Sequence, residues 1–233
     1  MTRSAAVSLD REPVVLSWSG GKDSALALAA LRDDPRVEVV ALMTSVTRGY
    51  DRISIHGVRR ALLEAQVAST GLPLVEVTLE PQCSNDAYET AFLDAVERMR
   101  RAHPGVRTIA FGDLFLEDVR AYREVLLRRA GLTGRFPLWG RDTRQLAHEF
   151  VSTGFVAHLA CVDTTQLDAR FAGRRFDDSL LADLPAGVDP CGERGEFHTF
   201  VSAGPIFAGP IGVCCGETVL RDGRFAYCDI VPS

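Results

Sequence analysis

The sequence predicts an α/β chain, a doubly wound and mostly parallel sheet followed by a smaller C-terminal α+β unit, and three observations lead there. Short apolar runs rich in β-branched residues alternate with helical stretches from Val14 to Phe111, the order that builds parallel βαβ units joined by right-handed crossovers. A turn of glycines, serines and a lysine, Ser19-Gly20-Gly21-Lys22-Asp23-Ser24, stands between the first apolar run and the first helix. Beyond Trp139 the runs shorten and close on a hairpin signal, Asp222-Gly223 between two apolar stretches.

Taken in order, the residues before Pro13 show no period and read as a short arm. Val14-Val15-Leu16 is the first strand, and Ala25 to Leu31 the first helix. Val37 to Met43 is a buried strand. Thr44 to Gly57, carrying Gly49, Tyr50, Asp51 and His56, lacks a period and reads as a loop at a strand's carboxyl end, where open α/β sheets bind ligands. A helix from Val58 to Thr70 places Val58, Leu62, Ala65 and Ser69 on one face and stops at Gly71. Leu74 to Val77 is the third strand. Asp86, with Glu89 three residues on, predicts a capped start for a helix whose stripe is Ala87, Ala91, Phe92, Ala95 and Met99.

Thr108 to Phe111 is the fourth strand, and Gly112-Asp113 sits at its ligand-facing end. The helix after it carries Glu117, Arg120, Arg123 and Glu124 and closes near Gly131; Arg120 and Glu124 share a face and can pair there. Asp142 with Gln145 caps the next helix, and Phe155 to Val162 is a further buried strand in which His158 reads as a core histidine. Asp163 to Pro185 shows only short helical pieces, and Cys214-Cys215 points to opposite faces of a strand.

The 233 residues are 46% hydrophobic and 24% charged, the balance of a folded globular protein. A net charge of -5 argues against a broad nucleic-acid footprint. No apolar run approaches the ~20 residues of a membrane span, and the first residues lack the apolar core of a signal peptide, so the expectation is a cytoplasmic protein with no membrane partner. The six cysteines include no Cys-x-x-Cys pair, which predicts neither a disulfide framework nor a structural zinc site.

The stretch from Ser19 to Ser24 describes an anion cradle. Strand, glycine turn and helix bring several backbone N–H groups and a helix N-terminus to one point, where the dipole and the unpaired donors favour negative charge. Gly20 and Gly21 let the backbone approach closely, Lys22 brings a fixed positive charge, and Ser19 and Ser24 add hydroxyl donors. A Walker A loop is excluded, since it opens on glycine where this chain has Leu16 and needs Ser or Thr where this chain has Asp23. Ser and Asp are common helix caps, but capping alone does not call for Gly-Gly-Lys in the same turn.

A second dense cluster runs from Gly187 to Phe200, a constrained loop entering a strand. On chemistry alone, Glu193 or Glu196 with His198 can serve as an acid/base pair or bind an amine. Structural turn chemistry and a metal site through Cys191 are the weaker readings, the latter for want of an evident fourth ligand.

Ser-Gly-Gly-Lys-Asp-Ser resembles the PP-loop of the N-type ATP pyrophosphatases. With Gly112-Asp113, Glu124, Gly131-Leu132, Pro137-Leu138-Trp139 and Gly192-Glu193-x-Gly195-Glu196-Phe197-His198-Thr199 following in that order, the chain resembles the diphthine-ammonia ligase family, in a bacterial-type form, over nearly its whole length. Two positions depart from that pattern, Arg194 where asparagine is usual and Leu127 where cysteine is often found.

The resemblance implies a Rossmann-like, adenine nucleotide alpha hydrolase-like domain over residues 1–132 that binds ATP, and a substrate-binding domain over 133–233. It implies a ligase that adenylates a carboxylate, of a small molecule or a protein side chain, releases pyrophosphate and passes the acyl group to ammonia or another amine. Mg²⁺ would be held through the phosphates with no metal site of the protein's own, and a homodimer is compatible. Carried over by residue, Ser19, Gly20, Gly21, Lys22, Asp23, Ser24, Thr44 and Gly112 would hold the nucleotide. Lys22, Asp113, Glu193, Glu196 and His198 would be catalytic, and Glu124, Gly192, Gly195 and Thr199 would bind substrate. Two other readings of a PP-loop chain are tRNA thiolation, which predicts catalytic cysteine pairs and a basic face, and a non-catalytic ATP sensor.

Overall fold

The computed structural model describes residues 11–49 and 57–233. The first half forms five parallel strands, β1 (Glu12–Ser17), β2 (Val37–Thr47), β3 (Leu74–Leu79), β4 (Thr108–Ala110) and β5 (Thr133–Arg135), in the order β3-β2-β1-β4-β5. The chain winds outward from β1 to β3, then returns to lay β4 on the other side of β1. The strand order therefore reverses between β1 and β4, the crevice at which such sheets bind ligands.

Side chains alternate along β1 and divide the helices between two faces. Val14 and Leu16 pack with α1 (Lys22–Asp33) and α2 (Arg60–Thr70), while Val15 packs with α3 (Asn85–Ala102) and α4 (Glu117–Arg129). The second half is an antiparallel sheet of β6 (Val156–Asp163), β7 (Phe197–Ala203), β8 (Val213–Arg221) and β9 (Phe225–Pro232) in the order β7-β6-β9-β8. Helices α5 (Thr143–Ser152) and α6 (Asp178–Asp183) accompany it, with a 3-10 turn at Ala169–Phe171. Helix α1 is buried on nearly every side because it lies between the two sheets, its Ala25, Leu26 and Leu28 sharing one apolar cluster with Phe197, Phe200 and Val201. Alanines suit that place, since they let two layers approach one helix closely.

Several boundaries differ from those the sequence predicts. Strand β2 continues to Thr47, pairing with β3 as far as Thr47↔Leu79, so Thr44 lies within the strand and not in the following loop. Tyr50, Asp51 and His56 of that loop, like the first residues of the arm, lie outside the described residues. The cap of α3 is Ser84, whose hydroxyl accepts the Ala87 N–H, and Asp86 sits in the first turn. Strand β5 is Thr-Gly-Arg, with no apolar pattern to announce it; it exists because β4 offers a free edge, and Arg135 ties it to Glu12 and Asp34.

The Asp142 cap and the hairpin are as expected. Asp142 accepts the Gln145 N–H at 2.8 Å, and Asp222 and Gly223 both take positive φ in the turn joining β8 to β9. Among the described residues no helix is long and apolar enough to cross a membrane.

Candidate active site

The turn from β1 into α1 is held from three directions. Gly20 adopts φ +77°, and a Cβ there would fall 2.5 Å from the Gln66 amide oxygen, so both the conformation and the space require glycine. Gln66, 0% exposed on α2, donates from its amide nitrogen to the carbonyls of Gly20 (2.9 Å) and Val201 (2.7 Å) and accepts the Trp18 indole N–H at 3.2 Å. Val201 N–H also donates to the Gly20 carbonyl at 3.0 Å, and Lys22 N–H donates to the Thr199 hydroxyl at 3.0 Å, so strand β7 is stitched along the turn. From below, Gly112 at the end of β4 lies against the first turn of α1, where a Cβ would come within 2.8 Å of the Asp23 backbone.

Val58 and Leu62 of the expected stripe are buried, but the face of α2 then runs through Leu63, Gln66 and Thr70, with Ala65 and Ser69 only half-buried, and Gln66 lay outside the expected stripe for that reason. Its signal was available, a polar residue four positions after a core leucine on the same stripe. Replacing Gln66 by Leu leaves the Trp18 indole N–H and the Val201 carbonyl without these partners. The expected destabilisation is about 2–4 kcal/mol, read as a lower urea midpoint at unchanged slope.

Inside the turn, Lys22 is 2% exposed and its ammonium contacts both Asp23 carboxylate oxygens at 2.8 Å and the Cys191 carbonyl. Burial pulls the Lys22 pKa down, but the charge of Asp23 and the hydrogen bond to it more than offset that, and the net direction is upward. Lys22 therefore stays cationic. The Ser24 hydroxyl donates to the Gly21 carbonyl at 2.8 Å, and the Ser19 hydroxyl donates to Ser24 at 3.2 Å.

The loop of the second cluster is knit by two buried carboxylates. Glu196, 2% exposed, accepts the N–H groups of Asp189 and Arg194, each at 2.9 Å. Asp189 accepts the Cys191 N–H at 2.9 Å and the Thr143 hydroxyl at 2.8 Å. Glu196 thus shapes the loop through both its oxygens and is absent from the cavity lining, where the sequence reading had counted it among the catalytic groups. Cys191 donates its thiol to the Thr143 carbonyl at 3.2 Å, and burial pushes its pKa up to about 12, so it stays a neutral thiol and not a thiolate ligand.

Glu193 has a different setting. It accepts the Leu114 N–H at 2.8 Å across to the segment after β4, and burial, with the charges of Asp23 and Asp113 adding, raises its pKa to about 7. His198, which lines the same cavity, is lowered to about 4 by burial and by the Lys22 charge, and is neutral at neutral pH.

Two adjoining cavities open at the crevice. A polar one of about 250 Å³ is lined by Ser19, Gly21, Lys22, Asp23 and Ser24 of the turn and by Gly112, Asp113, Gly192, Glu193, Gly195, His198 and Thr199. An apolar one of about 340 Å³ runs under α3 among Trp18, Met43, Thr44, Val77, Tyr88 and Phe92. Ser17, Ser19, Phe111 and Arg123 line both. The structure thus brings Ser19, Gly21, Lys22, Asp23, Ser24, Gly112, Asp113, Gly192, Glu193, Gly195, His198 and Thr199 around one space, with Thr44 in its neighbour.

Glu124 lines neither cavity and pairs with Arg120 on α4 at 2.8 Å. Arg120 in turn stacks on Phe136 and Trp139. Of the two unusual positions, Leu127 is 1% exposed in the core under α4, and Arg194 lies over the Phe115 ring.

Residues 12–134 match the diphthamide synthase N-terminal domain, and residues 142–231 match the diphthamide synthase C-terminal domain. Among curated proteins, the chain is similar to the diphthine–ammonia ligase of Schizosaccharomyces pombe, 27% identical over 206 residues, which are 81% of this chain and 34% of that protein. It is 26% identical to the mouse diphthine–ammonia ligase over 224 residues, covering 87% of this chain and 83% of the relative. The human enzyme of that name is 26% identical over 180 residues, covering 75% and 67%. The chain therefore spans about a third of the fission yeast protein and most of the mouse one.

Proposed function

The chain belongs to the diphthamide synthase family, and from that premise we propose that it is an ATP-dependent carbon–nitrogen ligase that activates a carboxylate as an acyl-adenylate and amidates it. The carboxylate oxygen attacks the α-phosphorus of ATP, the bond to the β-phosphate oxygen breaks, and pyrophosphate leaves. Ammonia then attacks the acyl carbon and expels AMP, losing a proton. Relatives named for diphthine and ammonia favour this reading over thiolation or sensing.

The observation that carries the proposal is the meeting, in one polar cavity, of the Lys22 turn from the first half and Glu193 and His198 from the second. Residues 1–132 then hold ATP and 133–233 close over the substrate. The turn and Lys22 receive the β- and γ-phosphates, where N–H donors and a held cation stabilise charge on the leaving pyrophosphate. The neighbouring apolar cavity takes the adenosine. Among the described residues no group of three His, Cys, Asp or Glu side chains could hold a metal ion, so Mg²⁺ would come bound through the phosphates of ATP and would neutralise their charge. Neutral His198 accepts hydrogen bonds without competing with Lys22 for anions. Glu193, poised near neutrality, takes the proton from ammonium, so that ammonia is released where the acyl-adenylate forms. Glu196 holds the loop that presents them. We place the reaction in the cytoplasm.

The test is a product analysis with ATP, ¹⁵N-ammonium and carboxylates of the diphthine type. One AMP and one pyrophosphate per labelled amide are expected. Formation of ADP and orthophosphate in their place would end the adenylate proposal.

A further inference from the structure

Resting on that reading of the site, we propose that Arg123 is the receptor for the α-phosphate, the group at which the chemistry occurs. The cavity shapes assign the ends of the nucleotide, adenosine to the apolar lobe and the outer phosphates to the glycine turn. The α-phosphate must then lie at the seam. Among the described residues only Ser17, Ser19, Phe111 and Arg123 line both lobes, and of these only Arg123 carries charge.

Its guanidinium is held in a fixed plane, stacked over the Phe111 ring at 4.4 Å. Asp113 holds it from one side, accepting from an Nη2–H at 3.1 Å. The pairing is incomplete. Nε and the Asp113 Oδ2 stand 2.6 Å apart without hydrogen-bond alignment, and both atoms are buried with no hydrogen-bond partner. A planar guanidinium already oriented at the seam matches a phosphate oxygen in shape and charge. Charge grows on the α-phosphate's equatorial oxygens as the carboxylate attacks, and a preoriented guanidinium meets it without reorganising. Lys22, clasped by Asp23 and the Cys191 carbonyl at the far side of the turn, serves the leaving group; Arg123 serves the reacting phosphorus.

Three probes read this by calorimetry without the acyl acceptor: adenosine, AMP and pyrophosphate, each titrated into wild type and Arg123→Gln. AMP affinity is expected to fall by about tenfold to a hundredfold, the weight of a charge-assisted contact, while adenosine and pyrophosphate bind as in wild type. Arg123→Met, which keeps the stem against Phe111, gives the same pattern and keeps the question open to test if the Gln variant does not fold. Equal losses for AMP and adenosine, or no loss for AMP, would overturn the assignment while leaving the ligase proposal standing. A wild-type protein that binds none of the three removes the nucleotide site itself and this inference with it.

Discussion

Lys22→Ala is expected to reduce pyrophosphate release by about 10²–10³-fold or more, the scale of losing one preorganised charge donor at a reacting anion. The same change leaves the Asp23 carboxylate beside an empty space among Cys191, Phe197 and Gly21. The expected cost in stability is on the order of 1–3 kcal/mol, below that of a fully buried pair because the Asp23 side chain is 28% exposed. The two effects separate in the double variant Lys22→Ala with Asp23→Asn, which removes the stranded charge. Stability should return toward wild type while turnover stays lost, measured by urea unfolding and by pyrophosphate assay on the same samples. Undiminished release in the single variant would take the glycine turn out of the mechanism.

Glu193→Gln is expected to do the opposite to stability. The wild-type carboxyl titrates near 7 in the folded protein and near the ordinary 4.5 when unfolded, because burial disfavours its charge. Between those values the folded state binds the extra proton. Stability contributed by the neutral carboxyl is therefore full below about 4.5 and lost as pH rises through about 7. The amide never ionises, so the variant should be more stable than wild type at pH 8, by on the order of 1 kcal/mol once solvent screening is allowed for, and equal to it at pH 4.

Amide formation should fall by about 10²–10⁴-fold in the same protein, the weight of a positioned proton acceptor. Assayed at constant ammonium, wild type should gain rate up to about pH 7 and level off above it, while the variant should follow free ammonia alone with no break there. A variant that is both active and pH-dependent like wild type would place the proton acceptor elsewhere. The site thus holds a destabilising group whose removal strengthens the fold, as is common where function and stability compete.

The tight turn from β1 into α1 was legible because everything that makes it is contiguous. Strand, turn and helix follow one another within Val14 to Leu31. The end of β4 was legible for a related reason, since a strand's carboxyl end in an alternating chain is a place before it is a structure. Glu196 and Glu193, three residues apart and alike in chemistry, were not separable on paper. One accepts two N–H groups of its own loop and the other reaches Leu114, 79 positions away.

Local order, then, determined the fold class, the glycine turn into α1, the Asp142 cap and the final hairpin, because periodicity, capping and turn conformation are settled by residues within a few positions of one another. Packing alone decided that Gln66 braces that turn against Val201, that Thr-Gly-Arg becomes a strand on the edge of β4, and that Arg123 comes to the seam beside Asp113. Those outcomes depend on which groups share a dry space once the two sheets close on α1, and burial and charge act through distance in space, not along the chain.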